Sequence, residues 1–248
     1  ASLAGANVHA QAAKPTVVLV HGAFADASSW NGVIRILRDD GYPVIAVANP
    51  LRSVSGDGAY VSDVVASLST PVVLVGHSYG GSVITEAARG HDNVKALVYV
   101  AAFARADGEP ASTLSGKFPG SSPDPTLAPP VKPAGGGVDL YIQQPKFHAQ
   151  FAADVSAADA ALMAATQRPI TEAALNEKSG QPTWKGIPSW FVYGDQDRNI
   201  PPKALAFMAE RARSKQTVVV PGASHVVMVS NPEPVAKLIE RAAGEHGH

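Results

Sequence analysis

Short runs of aliphatic and β-branched residues recur along this chain, and each is followed by a stretch with helical periodicity. Thr16-Val17-Val18-Leu19-Val20 is apolar at nearly every position, as in a strand buried on both faces. From Ser28 to Asp40 the period changes: Trp30, Val33, Ile34 and Leu37 fall on one helical face, and Gly41 ends the stretch. The rhythm continues with a strand over Pro43–Ala48, a helix over Tyr60–Leu68, a strand over Pro71–Val75, a helix over Gly80–Arg89 and a strand over Val94–Ala101. Parallel strands need crossover connections, and helices supply them. This order therefore predicts an α/β fold with a mostly parallel sheet and helices on both faces.

The rhythm then breaks. Asp107 to Gly137 is rich in Pro, Gly and Ser and is expected to be irregular, and helical stretches follow over Val155–Gln167 and Thr171–Lys178. A segment this long without strands reads as an insertion above the sheet, placed at residues 103–187. Strands resume at Ser189–Tyr193 and Thr217–Val220, with helices over Pro202–Arg213 and Pro232–Ala243. Residues 15–102 and 188–248 then form one core, which a chain of 248 residues is long enough to build. Residues 1–14 read as a flexible N-terminus or signal-peptide remnant. The small residues of Ala1 to Ala13 resemble the end of a secretory leader, so a secreted or periplasmic location is expected, with the cytoplasm as the alternative.

Composition removes several function classes. A net charge of −1 gives no electrostatic basis for binding nucleic acid or an anionic membrane. With no cysteine, the chain has neither disulfides nor a thiol nucleophile. No apolar run approaches the roughly 20 residues of a membrane span.

The chemistry-bearing residues cluster where strands end. Gly76-His77-Ser78-Tyr79-Gly80-Gly81 follows a predicted strand and opens a predicted helix, the context that a G-x-S-x-G turn requires. Such a turn lifts the Ser78 hydroxyl above the sheet and aims the free amides of the helix at it. His21-Gly22-Ala23-Phe24 ends the first strand on the same sheet edge. A backbone N–H of Ala23 or Phe24 is thus expected to meet that of Tyr79 as a pair of oxyanion donors. His21 itself is expected to shape the loop. A serine nucleophile needs a base, and of the eight histidines His225 follows the last strand, again on this edge. The base needs a carboxylate, and Asp195 and Asp197, after strand Ser189–Tyr193, both qualify by location.

With these motifs in order, the chain resembles the α/β-hydrolases, close in style to small esterases and hydroxynitrile lyases with a sheet of about six strands. The resemblance runs from Thr16 to the last helix and rests on H-G-x-F at His21–Phe24, G-x-S-x-G at Gly76–Gly80, and G-x-x-D at Gly194–Asp197 with Ser224-His225 downstream. It implies Asp197 as the acid, with Asp195 forming the turn and Asp107 as a more distant alternative. It also implies that residues 103–187 are a mainly helical cap. Of the aromatic residues that such a cap encloses (Phe24, Tyr79, Phe103, Tyr141, Phe147, Phe151 and Trp184), the expected substrate contacts are Phe24, Tyr79, Phe103 and Trp184. His148 is expected to pack within the cap.

Dehalogenases and epoxide hydrolases of similar pattern carry an aspartate where this chain has Ser78. Hydroxynitrile lyases typically have lysine and a hydroxyl residue where it has Val226 and Gly22. The resemblance therefore implies a serine esterase that acts on a small to medium carboxylic ester through an acyl-enzyme. No metal or organic cofactor is expected, and neither nucleic acid nor membrane as a partner. The alternatives are a lactonase or C–C-bond hydrolase with the same triad, or a ligand-binding relative with little turnover.

Overall fold

A computed structural model describes residues 14–117 and 124–244, so the leader-like pattern of Ala1 to Ala13 lies outside the described residues. The elements follow in the order β1 (Thr16–Val20), α1 (Asn31–Asp39), β2 (Val44–Val47), α2 (Val54–Ala66), β3 (Val72–His77), α3 (Tyr79–Ala87) and β4 (Val94–Val100). Then come α4 (Ala111–Lys117), β5 (Asp139–Leu140), α5 (Gln144–Phe151), α6 (Ala157–Thr166), β6 (Ile170–Thr171) and α7 (Glu172–Asn176). The chain closes with β7 (Ser189–Gly194), α8 (Pro202–Arg211), β8 (Thr217–Val220), α9 (Val227–Ser230) and α10 (Pro232–Gly244).

Six strands form one parallel sheet in the order β2-β1-β3-β4-β7-β8. The inner strands β1, β3 and β7 are buried at every position, which explains their unbroken apolar runs. The edge strands β2 and β8 are only partly covered, and Val219 is an exposed edge residue. Helix α1 packs against α10, which lies on β4 and β7, while α2 and α3 form a second pair with α3 on β3. Trp30, Val33 and Leu37, three of the four residues assigned to one face from their spacing, are completely buried. Each such side chain stabilises the fold by about 1.5–3 kcal/mol over an exposed one.

Several boundaries differ from the sequence expectation. Helix α2 begins at Val54 rather than Tyr60, because its first turn is capped twice. Ser53 Oγ accepts the Gly56 amide at 2.9 Å, and the distant Glu177 carboxylate accepts the Val54 and Ser55 amides. The Asp107–Gly137 stretch, expected to be irregular, contains α4, and α5 forms where no helix was expected. Strands β5 and β6 add a two-stranded antiparallel ladder. The segment between β4 and β7 sits over the carboxyl ends of the strands: Phe24 N–H donates to Arg168 O at 3.0 Å, and Thr171 N–H to Leu51 O at 3.1 Å. Among the described residues no helix is long and apolar enough to cross a membrane.

Candidate active site

Strand β3 and helix α3 meet at a single residue. Ser78 has φ 54° and ψ −122°, a conformation costly for any side chain and held only because its surroundings impose it. The Ser78 amide donates to Val100 O at 3.3 Å, and its carbonyl accepts from Gly81 N–H at 3.0 Å and Phe103 N–H at 3.1 Å. The turn closes only with glycine on both sides. A Cβ on Gly76 would lie 2.5 Å from Gly80 O, and one on Gly80 2.3 Å from Val20 O.

The first loop is pressed against this elbow. Val20 pairs with Gly76 across the sheet, so the next residues of both strands emerge side by side. A Cβ on Gly22 would lie 2.6 Å from His77 O and 3.2 Å from Tyr79 N. His21 holds the loop: its Nε2 accepts the Asn49 amide at 3.0 Å, which leaves Nδ1 to donate to Gly22 O at 2.9 Å. Asn49 Nδ2 donates in turn to His21 O at 2.9 Å. Burial lowers the pKa of His21, which favours this neutral form. The Ala23 and Tyr79 amides donate to no acceptor among the described residues. The Phe24 amide does, to Arg168 O, so of the two donors expected from this loop only Ala23 is free.

The two aspartates after β7 divide their work. Asp197 Oδ2 accepts a hydrogen bond from His225 Nδ1 at 2.7 Å, and both side chains are fully buried. Its other oxygen accepts the amides of Asn199 at 2.8 Å and Ile200 at 2.9 Å. Asp195 instead accepts the Gly222 amide at 2.7 Å and, with Gln196 N–H on Ala223 O at 3.0 Å, ties the Asp197 turn to the His225 loop. Asp107 is exposed and accepts from Gln181. With Nδ1–H directed at the carboxylate, His225 Nε2 carries the lone pair, and it is buried without a partner. His77, between Gly76 and Ser78, donates from Nε2 to His225 O at 2.9 Å, and the two rings lie 4.7 Å apart. Burial, then the neighbouring His225, holds the His77 pKa well below the ordinary histidine value, so His77 is a neutral spacer.

The model of the alpha/beta hydrolase family matches residues 17–238, nearly the whole described chain. The chain belongs to the alpha/beta hydrolase family. It is 26% identical over 251 residues to the alpha/beta hydrolase nvfD of Aspergillus novofumigatus, covering 94% of this chain and 98% of that one. It is 24% identical over 253 residues to a pimeloyl-acyl-carrier-protein methyl ester esterase of Aeromonas hydrophila, covering 93% and 96%. The crystal structure of polyneuridine aldehyde esterase superposes with a TM-score of 0.77 at 19% identity, covering 92% of this chain and 98% of that one. The hydrolase fold is thus shared with esterases, as the sequence motifs implied.

In this hydrolase the expected substrate contacts separate into two groups. Phe24 and Phe103 are at the site: Phe24 packs edge-on against Phe151, and the Phe103 amide holds Ser78 O. Tyr79 contributes its backbone only. Its side chain is fully buried and donates to Asp57 Oδ2 at 2.7 Å, joining α3 to α2. Trp184 is also displaced from the site. Its indole N–H donates to Arg105 O at 3.0 Å, and the adjacent Thr183 hydroxyl binds Thr85 O, roughly 9 Å along α3 from Tyr79. Both corrections have one cause: each side chain has a polar tip that found a buried partner away from Ser78.

Phe151 lies against the buried pair instead. Its ring meets His225 at 5.1 Å, His77 at 6.4 Å and Phe147 at 4.9 Å. Helix α5 is anchored over the turn after Asp197 by Gln150 Nε2, which donates to Arg198 O and Asn199 Oδ1, and by Arg198, which donates to Ala149 O. Phe147 and Phe151 share a helical face at i, i+4 spacing, a signal that the sequence carried without saying what the face would cover. His148 closes the end of α5 by donating to Val155 O at 2.6 Å. Among the described residues, no three acidic or histidine side chains gather as a metal site.

Proposed function

We propose that this hydrolase is a serine esterase that cleaves small to medium carboxylic esters through an acyl-enzyme. The observation that carries the reading is the buried Asp197–His225 pair, with Nε2 unpartnered on the sheet edge that bears Ser78. A carboxylate that fixes one imidazole nitrogen leaves the other as a base and stabilises the imidazolium that forms.

In this reading His225 Nε2 takes the Ser78 proton as Oγ attacks the ester carbonyl. The amides of Tyr79 and Ala23 hold the oxyanion, aided by the positive end of α3. His225 then protonates the leaving alcohol, and a water activated by the same nitrogen hydrolyses the acyl-enzyme. Residues 103–187 act as a cap that excludes bulk water, and Phe24, Phe103 and Phe151 present apolar surface to the substrate. The esterases among its relatives support this choice of chemistry.

The test is hydrolysis of p-nitrophenyl esters from acetate to palmitate by wild type, Ser78→Ala and His225→Ala. Turnover by wild type and a fall of about 10⁴–10⁶-fold in both folded variants is expected. A wild type inert across the series would overturn the reading and turn attention to lactones and diketones.

A further inference from the structure

Ser78 follows the carboxyl end of β3, so the amino ends of the parallel strands β7 and β8 lie at the opposite end of the sheet. The six residues of β7 put about 20 Å between the two ends. A groove of about 680 Å³ opens at this far end, within the size range of small-molecule sites. Four cations line it. Lys185 comes from the turn before β7, Arg211 and Arg213 from the end of α8, and Lys215 from the approach to β8. Lys215 N–H donates to Ser189 O at 2.7 Å, which holds the two approaches side by side.

Most of this charge is unspent. Among the described residues no acidic side chain lines the groove. Arg211 has a carboxylate partner: Glu109 accepts from its Nη1 at 3.1 Å and its Nη2 at 2.9 Å. Its guanidinium also lies over the rings of Phe207 at 5.0 Å and Trp184 at 5.8 Å, and its Nε–H is buried without an acceptor. Lys185, Arg213 and Lys215 form no ion pair among the described residues. Cations at a helix end are ordinary, because they face the negative end of its dipole. That accounts for Arg211 and Arg213, but Lys215 lies in no helix and Lys185 ends a turn of three residues. Arg213 has φ 55° just past α8, a conformation that favours glycine, so a charged side chain is kept there at a conformational cost. The groove beside Arg52 differs: there Arg52 and Arg168 are balanced by Asp26 and Asp139.

We infer that the groove at the amino ends of β7 and β8 binds a small, doubly charged organic anion, a phosphate monoester in kind, with an apolar body. Charge complementarity assigns the head group. Three unpaired cations around one concavity repel one another, and a dianion relieves that repulsion. A phosphate monoester carries nearly two negative charges at neutral pH. The remaining lining assigns the body, since Trp184, Ile187 and Pro188 give the same groove an apolar side. The site is separate from the chemistry at Ser78 and does not depend on it.

The test is calorimetric titration of 1-naphthyl phosphate, 1-naphthol and inorganic phosphate into wild type, Lys185→Glu/Lys215→Glu and Lys215→Gln. Both lysines are exposed, so the variants are expected to keep the wild-type Tm. 1-Naphthyl phosphate is expected to bind wild type at one site, at least about tenfold more tightly than either of the other two molecules. The loss expected is about tenfold or more in the double variant and about threefold in Lys215→Gln, and added salt should weaken binding to wild type. Equal affinity in wild type and the double variant overturns the inference, as does inorganic phosphate binding as tightly as 1-naphthyl phosphate. Saturation by poly-L-glutamate but by none of the three small molecules also overturns it, and gives the surface to an acidic protein partner.

Discussion

His77 donates a hydrogen bond of 2.9 Å to the backbone carbonyl of His225, so the residue in front of Ser78 holds the loop that carries His225. His225 follows β8, at the edge of the sheet, whereas Ser78 follows β3, near its middle. To reach Ser78, His225 must be carried across the ends of β7 and β4, and this bond fixes where it arrives. The same arrangement makes His77 a positioning residue: it stays neutral because burial disfavours its charge.

Replacing His77 with leucine leaves the His225 carbonyl buried without a donor. A loss of about 1–3 kcal/mol is expected in urea unfolding, with a fall in kcat for ester hydrolysis. His77→Gln retains a donor and is expected to recover part of both. Equal damage in the two variants would mean that ring packing, rather than the hydrogen bond, is what matters.

Asp197→Asn keeps the shape of the acid but turns one oxygen into a donor, which favours the wrong imidazole tautomer. The expected fall in kcat is about 10⁴-fold with little change in circular dichroism. Asp195→Asn retains an oxygen for the Gly222 amide and is expected to lower kcat far less. A reversed ranking would transfer the acid's role to Asp195.

Gly22→Ala tests the approach of the oxyanion loop. The new methyl would fall 2.6 Å from His77 O and 2.8 Å from Ser78 Cβ, so loop or elbow must shift. A cost of about 1–3 kcal/mol in stability is expected. Displacing the Ala23 donor should lower kcat by about 10²–10³-fold. Wild-type kinetics in this variant would place the oxyanion elsewhere.

A carboxylate away from the site makes stability depend on pH. Burial, then the adjacent Asp40 carboxyl, pushes the Glu240 pKa up to about 7 from an ordinary value of 4.5. The folded state prefers the protonated form. Its contribution is thus complete below pH 4.5 and is lost as pH rises through 7. Glu240→Gln is expected to flatten the fall of Tm between these values and to raise Tm at pH 8 relative to wild type. Parallel Tm curves for the two proteins would dismiss Glu240 as the source.

The core of the fold was legible because its signals are local. β1 and β8 have the bounds read from the sequence, and β3 lies within about two residues of its own; for the buried β1 and β3 the reason is that a strand covered on both faces must be apolar throughout. The first turn of α2 was missed because Glu177, more than a hundred residues away, supplies its cap. Helix α4 was missed because it lies in a Pro- and Gly-rich stretch, and α5 because its eight residues carry only a weak amphipathic signal that packing over the sheet makes decisive.

At the site, the sequence by itself determined the elbow and the loops that meet it. The glycines flanking Ser78 and His77 admit one tight turn, and the parallel order brings the ends of β1, β3, β7 and β8 to one edge. Position in the sequence left Asp195 and Asp197 both eligible and only the resemblance preferred Asp197; which bonds each residue makes is a matter of tertiary structure. Asp197 rather than Asp195 reaches His225, the Phe24 amide is taken by Arg168, Tyr79 turns to Asp57, Trp184 turns to Arg105, and Phe151 covers the base. The physical reason is that a hydrogen bond or ring contact depends on direction and on distances of a few ångströms, set by how the segment after β4 packs, whereas the sheet depends on residue period alone.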